Sequence, residues 1–188
     1  MALSVVSLLL DERGAALLEF AIALPLLVLF VVGIYDFSGA FNQKLKMDQA
    51  AQGGAIIAGT QPTSDIASSN GNPASLQAVV AAVFNSLAGS GVLRNANQGA
   101  CVVPGTPGPV SGLTWTYTIS GCNNAYTTNN DLKIVINRAW VSSGSPTALC
   151  TVVTVTYPYH WQFYGVIQSL FPANYTALSE SATVHNQT

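Results

Sequence analysis

The longest run of apolar residues extends from residue 15 to residue 35 and contains one charged residue, Glu19. At 1.5 Å of rise per residue, such a helix is about 31 Å long, which matches the hydrocarbon thickness of a bilayer. A secretory signal has an apolar region of only about 7–15 residues, so the pattern predicts a helix that remains in the membrane. Pro25 removes one backbone donor inside this helix, and a kink is expected there.

Helical periodicity continues beyond the apolar run. Phe37, Phe41 and Leu45 recur every four residues, and Met47 and several alanines follow them. A helix continuous from residue 15 to residue 59 has ~45 residues and a length of roughly 68 Å. A separate helix next to the membrane is the alternative, because Gly53-Gly54 weakens the pattern and Gly59 can end a helix.

A second, amphipathic helix is predicted after a turn-rich linker at residues 60–73. Asn72 is its N-cap candidate, Pro73 is its expected first residue, and Gly89 ends it. Its apolar residues share one face, which indicates packing into a core. They are Leu76, Val79, Val80, Val83 and Leu87.

Apolar and polar residues alternate in the second half of the chain. After a loop at residues 89–112, the alternation predicts strands at 113–120, 132–141 and 149–159, and a weaker strand at 175–185. The segment SSGSP is expected to be the hairpin between the second and third strands. Pro158 indicates that the third strand ends there or lies at an edge. The predicted fold is α+β, with a long N-terminal transmembrane helix, a second amphipathic helix and a small antiparallel sheet of three to four strands.

Charge is scarce. Of 188 residues only 7 % are charged, and the formal net charge is −2. This composition excludes a charge-rich disordered chain, and it lacks the basic surface of a nucleic-acid-binding protein. Uncharged polar residues and glycine replace the usual surface lysines and glutamates, which suits an exported protein or one that packs against copies of itself.

Motifs of enzymes and metal sites are missing from the sequence. It has no GxSxG, HExxH or SxxK motif and no phosphate-binding glycine loop. His160 lies between Tyr159 and Trp161, as in an aromatic cluster. A run of amide residues with one carboxylate favours a solvated turn over a calcium site; it consists of Asn123, Asn124, Asn129, Asn130 and Asp131. We therefore expect no enzymatic activity, cofactor or metal.

The three cysteines are Cys101, Cys122 and Cys150. One disulfide and one free thiol are expected, in an oxidising compartment. If the strands form a meander, Cys122 and Cys150 lie about 23 Å apart, whereas a disulfide needs Cα atoms within roughly 7 Å. The expected pair is Cys101–Cys122, and Cys101–Cys150 is the alternative.

Glu19 has two interpretations. A carboxylate in hydrocarbon is costly unless it is paired, which favours a functional role. Alternatively, Glu19 is one turn into the membrane, so its side chain can extend to the headgroups.

The N-terminal segment resembles a known family. Gly14, a four-residue apolar spacer, Glu19 and Phe20 are similar to a type IV prepilin cleavage motif. More closely, RGAALLEFAIALPLLVLFVVGIYDF resembles the N-terminal segment of TadE-like proteins, the minor pilins or pseudopilins of the tight-adherence (Tad or Flp) pilus. The resemblance rests on Arg13-Gly14, Glu19-Phe20, Leu24-Pro25 and residues 33–37. Residues 152–161 and 178–184 are similar to the last two strands of the family.

The resemblance implies cleavage by a prepilin peptidase between Gly14 and Ala15. Residues 1–14 are then a leader, residues 15–59 a transmembrane and stem helix, and residues 60–188 an exported α+β domain. The new amine of Ala15 would pair with Glu19 of the same or a neighbouring subunit. The implied function is that of a non-enzymatic minor pilin, whose partners are the membrane, other pilins, assembly-platform proteins and the peptidase.

The alternative is an uncleaved signal-anchor protein whose exported domain binds a partner or a surface. Asp11 and Glu12 favour it, because prepilin leaders are usually basic. The flanking charges do not decide the orientation. The short N-terminal tail and the three cysteines of the long C-terminal part favour a cytoplasmic N-terminus and an exported C-terminal domain. The resemblance implies that the protein crosses the bacterial inner membrane once, or that it is incorporated in an extracellular pilus.

Overall fold

The computed structural model describes residues 12–62, 64–66, 73–123, 130–141, 149–167 and 173–186. In these ranges the helices are α1 (Glu12–Thr60), α2 (Ala74–Gly89) and α3 (Tyr164–Ile167). The strands are β1 (Val110–Ser111), β2 (Thr114–Ile119), β3 (Leu132–Val141), β4 (Leu149–His160) and β5 (Tyr175–His185). The predicted α+β class is confirmed. Residues 1–11 of the expected leader, Asn72 and the SSGSP connection lie outside the described residues.

The sheet is an antiparallel meander in the order β1-β2-β3-β4-β5. It has one strand more than the sequence predicted, because the two residues of β1 pair with the start of β2. The prediction that Leu113 belongs to a strand is wrong. Gly112 has φ +56°, and together with Leu113 it forms a two-residue hairpin loop of the kind that needs a positive φ.

Pro158 lies inside β4 rather than at its end. The pairing of β3 with β4 reaches only to Lys133 and Thr156, whereas β4 continues to His160 beside β5. At Pro158 the strand therefore has one neighbour, Ala177 of β5. A proline without an N–H is tolerated here because β3 does not pair with this part of β4. The prediction that the strand ends at Pro158 or lies at an edge is wrong, because β4 continues to His160 and lies between β3 and β5.

After residue 40, α1 packs into the core, mainly through small side chains. Met47, Ala51, Ala55 and Ala58 are fully or almost fully buried. A β-carbon added at Gly54 would lie 2.5 Å from Val83 Cγ2 of α2. Glycine thus permits close helix packing, and α1 is one continuous helix through Gly54 to Thr60.

Arg138 binds the end of α1 to β3. Its Nη2 donates to the carbonyls of Ala58 (3.2 Å) and Gln61 (3.1 Å), and its Nη1 donates to Pro62 (3.2 Å). The last carbonyls of a helix lack intrahelical partners and carry partial negative charge, which a guanidinium satisfies. Burial lowers the pKa of Arg138, and the nearby Asp65 carboxylate opposes that shift. A register shift in β3 between Asn137 and Trp140 places Arg138 at a bulge.

Asp65 also caps the start of α2. Its carboxylate accepts from the Ser75 amide (2.8 Å) and from the Ser75 hydroxyl (3.0 Å). Pro73 is the N-cap residue in extended conformation, so its predicted place inside the first turn is wrong by one residue. Since proline offers no capping side chain, the distant carboxylate satisfies the helix terminus.

A smaller compact unit comprises residues 12–39, 161–167 and 173–174 among those described. At its centre is Asp36, which is 1 % exposed. The carboxylate accepts the backbone amides of Gln162 and Phe163, both at 3.1 Å.

Aromatic contacts flank this carboxylate on both sides. Tyr35 meets Phe163 at 5.7 Å between ring centroids, and Phe37 meets Trp161 at 5.5 Å, both edge to face. Edge-to-face contacts of this kind stabilise a pair beyond the area that it buries. Asp36 and its two neighbours thus hold residues 161–163 against α1.

We expect Asp36→Ala to release residues 161–163, since a hydrogen bond to a charged group contributes about 1.5–3 kcal/mol. Hydrogen exchange of the full chain in detergent should become at least about tenfold faster at the Gln162 and Phe163 amides. Exchange in β3 and β4 should stay unchanged.

Asp48→Ala is the matched control, because Asp48 lies on the same helix and its side chain accepts a hydrogen bond from the exposed Gln52. Unchanged exchange at Gln162 and Phe163 in Asp36→Ala would contradict the role of the carboxylate.

Candidate functional site

The first half of α1 presents an apolar surface that no described residue covers. Leu17, Ile22 and Ile34 are each about 70 % exposed, at 71 %, 70 % and 69 %. The helix is long and apolar enough to cross a membrane. A contiguous exposed apolar surface of this extent marks contact with a membrane or a protein partner.

Gly14 and Ala15 lie in the first turn of the described part of α1, and both are exposed. The bond between them lies in helical backbone, and its cleavage remains a prediction.

Glu19 lies one turn after Ala15, at the i+4 position, and is exposed. Side chains at i and i+4 share one helix face, and each leans toward the N-terminus. Among the described residues, no hydrogen bond or ion pair involves Glu19. An amine on Ala15 would be within reach of this carboxylate.

Pro25 lies inside α1. It has no N–H to donate to the carbonyl of Ala21, four residues earlier. A backbone carbonyl without a partner is costly in hydrocarbon, so this position is the expected point of bending. The kink remains a prediction.

The cysteines lie in the larger unit, which comprises residues 40–160 and 175–188. A disulfide joins Cys101 and Cys122, whose Cα atoms are 4.9 Å apart. Cys150 is a buried free thiol, 3.4 Å from Nδ1 of His185. The alternative pair Cys101–Cys150 is therefore not formed in this structure.

Asp36 is the residue that the sequence analysis did not single out. The sequence does contain a pattern that could have indicated it, because a lone carboxylate at the end of an apolar run and between two aromatic residues is unusual. The partners are more than 120 residues away along the chain, so no local pattern identified them. The structure brings residues 35–37 together with Trp161, two segments on which the family resemblance rests.

A cluster of His, Cys, Asp or Glu suited to a metal ion is absent from the part of the chain that the structure describes. The carbonyl of Asn123 accepts a hydrogen bond from the side-chain amide of Asn130 at 3.3 Å. Asn124 and Asn129 of the predicted turn lie outside the described residues.

Comparison with known proteins gives one family match. No curated protein and no solved structure matches the chain. The model of the family described as TadE-like protein matches residues 14–55. This range begins at Gly14 and includes Glu19, Pro25 and Asp36. Residues 14–55 of this chain are therefore similar to the TadE-like family.

Proposed function

We propose that the chain is a membrane-anchored minor pilin, or pseudopilin, that takes part in the assembly of a Tad-type pilus. The observation that supports this most strongly is the family match over residues 14–55, which includes the exposed apolar half of α1 and continues into its buried part. The role is non-enzymatic, since assembly needs packing surfaces rather than a reacting group.

The anchor is a single helix that crosses the bacterial inner membrane, with a cytoplasmic N-terminus. The domain after residue 59 is exported. The disulfide Cys101–Cys122 supports this orientation, because disulfides persist in oxidising compartments. Asp36, fully bonded within the chain, marks the outer end of the apolar segment.

Residues 1–14 act as a leader that a prepilin peptidase removes. Gly14 fits a peptidase that requires a small residue before the bond. Removal turns Ala15 into the N-terminus, whose amine is a cation at neutral pH. In the low dielectric of a helix bundle, pairing this cation with Glu19 offsets the cost of burying either charge. The pair then sets the axial position of each helix against its neighbours, which are other pilins or assembly-platform proteins.

Replacing Gly14 with leucine should leave the leader attached, because a bulky side chain does not fit a site for a small residue. Intact-mass measurement on the chain from membranes should then give the mass with residues 1–14 retained. Gly33→Leu is the matched control, because a β-carbon at Gly33 meets no atom within 4 Å. A Gly14→Leu chain that still starts at Ala15 would refute the processing proposal and favour an uncleaved anchor.

Replacing Glu19 with glutamine removes the charge and keeps the shape. We expect membrane insertion to be unchanged or improved, because an ionised carboxylate disfavours insertion. Incorporation into sheared pili, or co-purification with partner pilins, should fall by about tenfold or more, since breaking a buried ion pair costs about 3–5 kcal/mol.

Glu19→Asp is the matched control, which keeps the charge on a shorter side chain and should retain part of the incorporation. Equal incorporation of the wild type and Glu19→Gln would mean that Glu19 extends to the headgroups and has no role in assembly.

A further inference from the structure

A cavity of about 270 Å³ opens on the outer face of the sheet, opposite the core. It exists because β3 is shorter than its neighbour. The pairing of β3 with β4 ends at Lys133 and Thr156, and β4 then continues for four residues beside β5 alone. The missing length of β3 leaves a step, and Pro158 lies at this step without an N–H that would need a partner.

One side of the cavity is mainly carbon. Pro158 of β4 and Ala177 of β5 form a flat apolar surface, and Tyr175 stands beside them. The Tyr175 ring contacts the His160 ring at 5.9 Å between centroids. This contact limits the freedom of the tyrosine ring beside the cavity.

The opposite side has hydrogen-bonding groups. Lys133 belongs to β3, Asp131 lies just before that strand, and both are exposed. Thr118 and Thr156 also line the cavity, and the Thr156 hydroxyl shares a hydrogen bond of 3.0 Å with Ser179. A carboxylate accepts hydrogen bonds and an ammonium donates them, so this side offers both functions next to each other.

We propose that this cavity binds one neutral pyranose ring of a glycan. A pyranose has an apolar C–H face that packs on an aromatic ring, and neighbouring hydroxyls that donate to one group and accept from another. These features match Tyr175 on one side and Asp131 with Lys133 on the other. The volume is just below the roughly 300–1,000 Å³ of sites for drug-sized ligands, so it suits a single ring.

Charge balance disfavours ionic ligands. The opposite charges of Asp131 and Lys133 cancel within the cavity, so an anion meets the carboxylate and a cation meets the ammonium. A free amino acid matches both charges, but a small one lacks the broad apolar face for Tyr175 and Pro158. The inference concerns the exported domain and does not depend on cleavage after Gly14.

The test is saturation-transfer NMR on the full chain in a detergent without sugar headgroups. The probes are the methyl α-pyranosides of glucose, mannose and galactose, with glycine and serine as zwitterionic probes. We expect saturable transfer, strongest at the apolar C–H protons, for at least one pyranoside and for neither amino acid. No transfer to any of the three pyranosides, or equal transfer to the amino acids, would overturn the proposal.

Variants locate the binding. Tyr175→Ala should weaken it at least tenfold, Asp131→Asn should weaken it severalfold, and Tyr175→Phe should stay within about twofold because the ring remains. Thr183→Ala is the matched control, because Thr183 is exposed on the same strand and pairs with Val152, outside the cavity. Equal binding by the wild type, Tyr175→Ala and Asp131→Asn would also overturn the proposal. Asp131 is exposed, so Asp131→Asn should fold normally, and a change in its binding reports on the cavity itself.

Discussion

One helix has to satisfy two different environments, and the rest of the structure follows from that constraint. The first half of α1 exposes large apolar side chains such as Leu17 and Ile22, which suit contact with lipid or with other apolar helices. The second half buries alanine and glycine, so that α2 can pack at short distance against Gly54. Arg138 then binds the carbonyls at the end of the helix and couples it to β3.

Glu19, within the apolar run, and Asp36, directly after it, have different surroundings. Asp36 is buried and accepts two backbone amides of its own chain. Glu19 is exposed and bonds to no other described residue. A carboxylate in hydrocarbon is costly without a partner. The proposed cleavage after Gly14 would supply one, the amine of Ala15, and would in this way link processing to assembly.

Local patterns predicted those parts of the fold that depend on neighbours in sequence. The alternation of residues located β2 to β5, and periodicity located α1 and α2. The patterns failed where contacts between residues far apart in the sequence determine the structure. Asp65 caps α2 in place of a side chain next to the helix, and the partners of Asp36 and Arg138 lie far along the chain. Gly53-Gly54 weakened the helical pattern, yet the helix continues through both residues, and at Gly54 the close contact with Val83 requires the absence of a side chain. The helix ends at Thr60, one residue after the predicted end at Gly59.

The central claim is that the chain is matured at Gly14 before it assembles. The most direct measurement is the intact mass and N-terminal sequence of the wild-type chain isolated from its own cells, with and without an active prepilin peptidase. The account predicts a chain that begins at Ala15 in the first case and retains residues 1–14 in the second. The same N-terminus in both cells would contradict it.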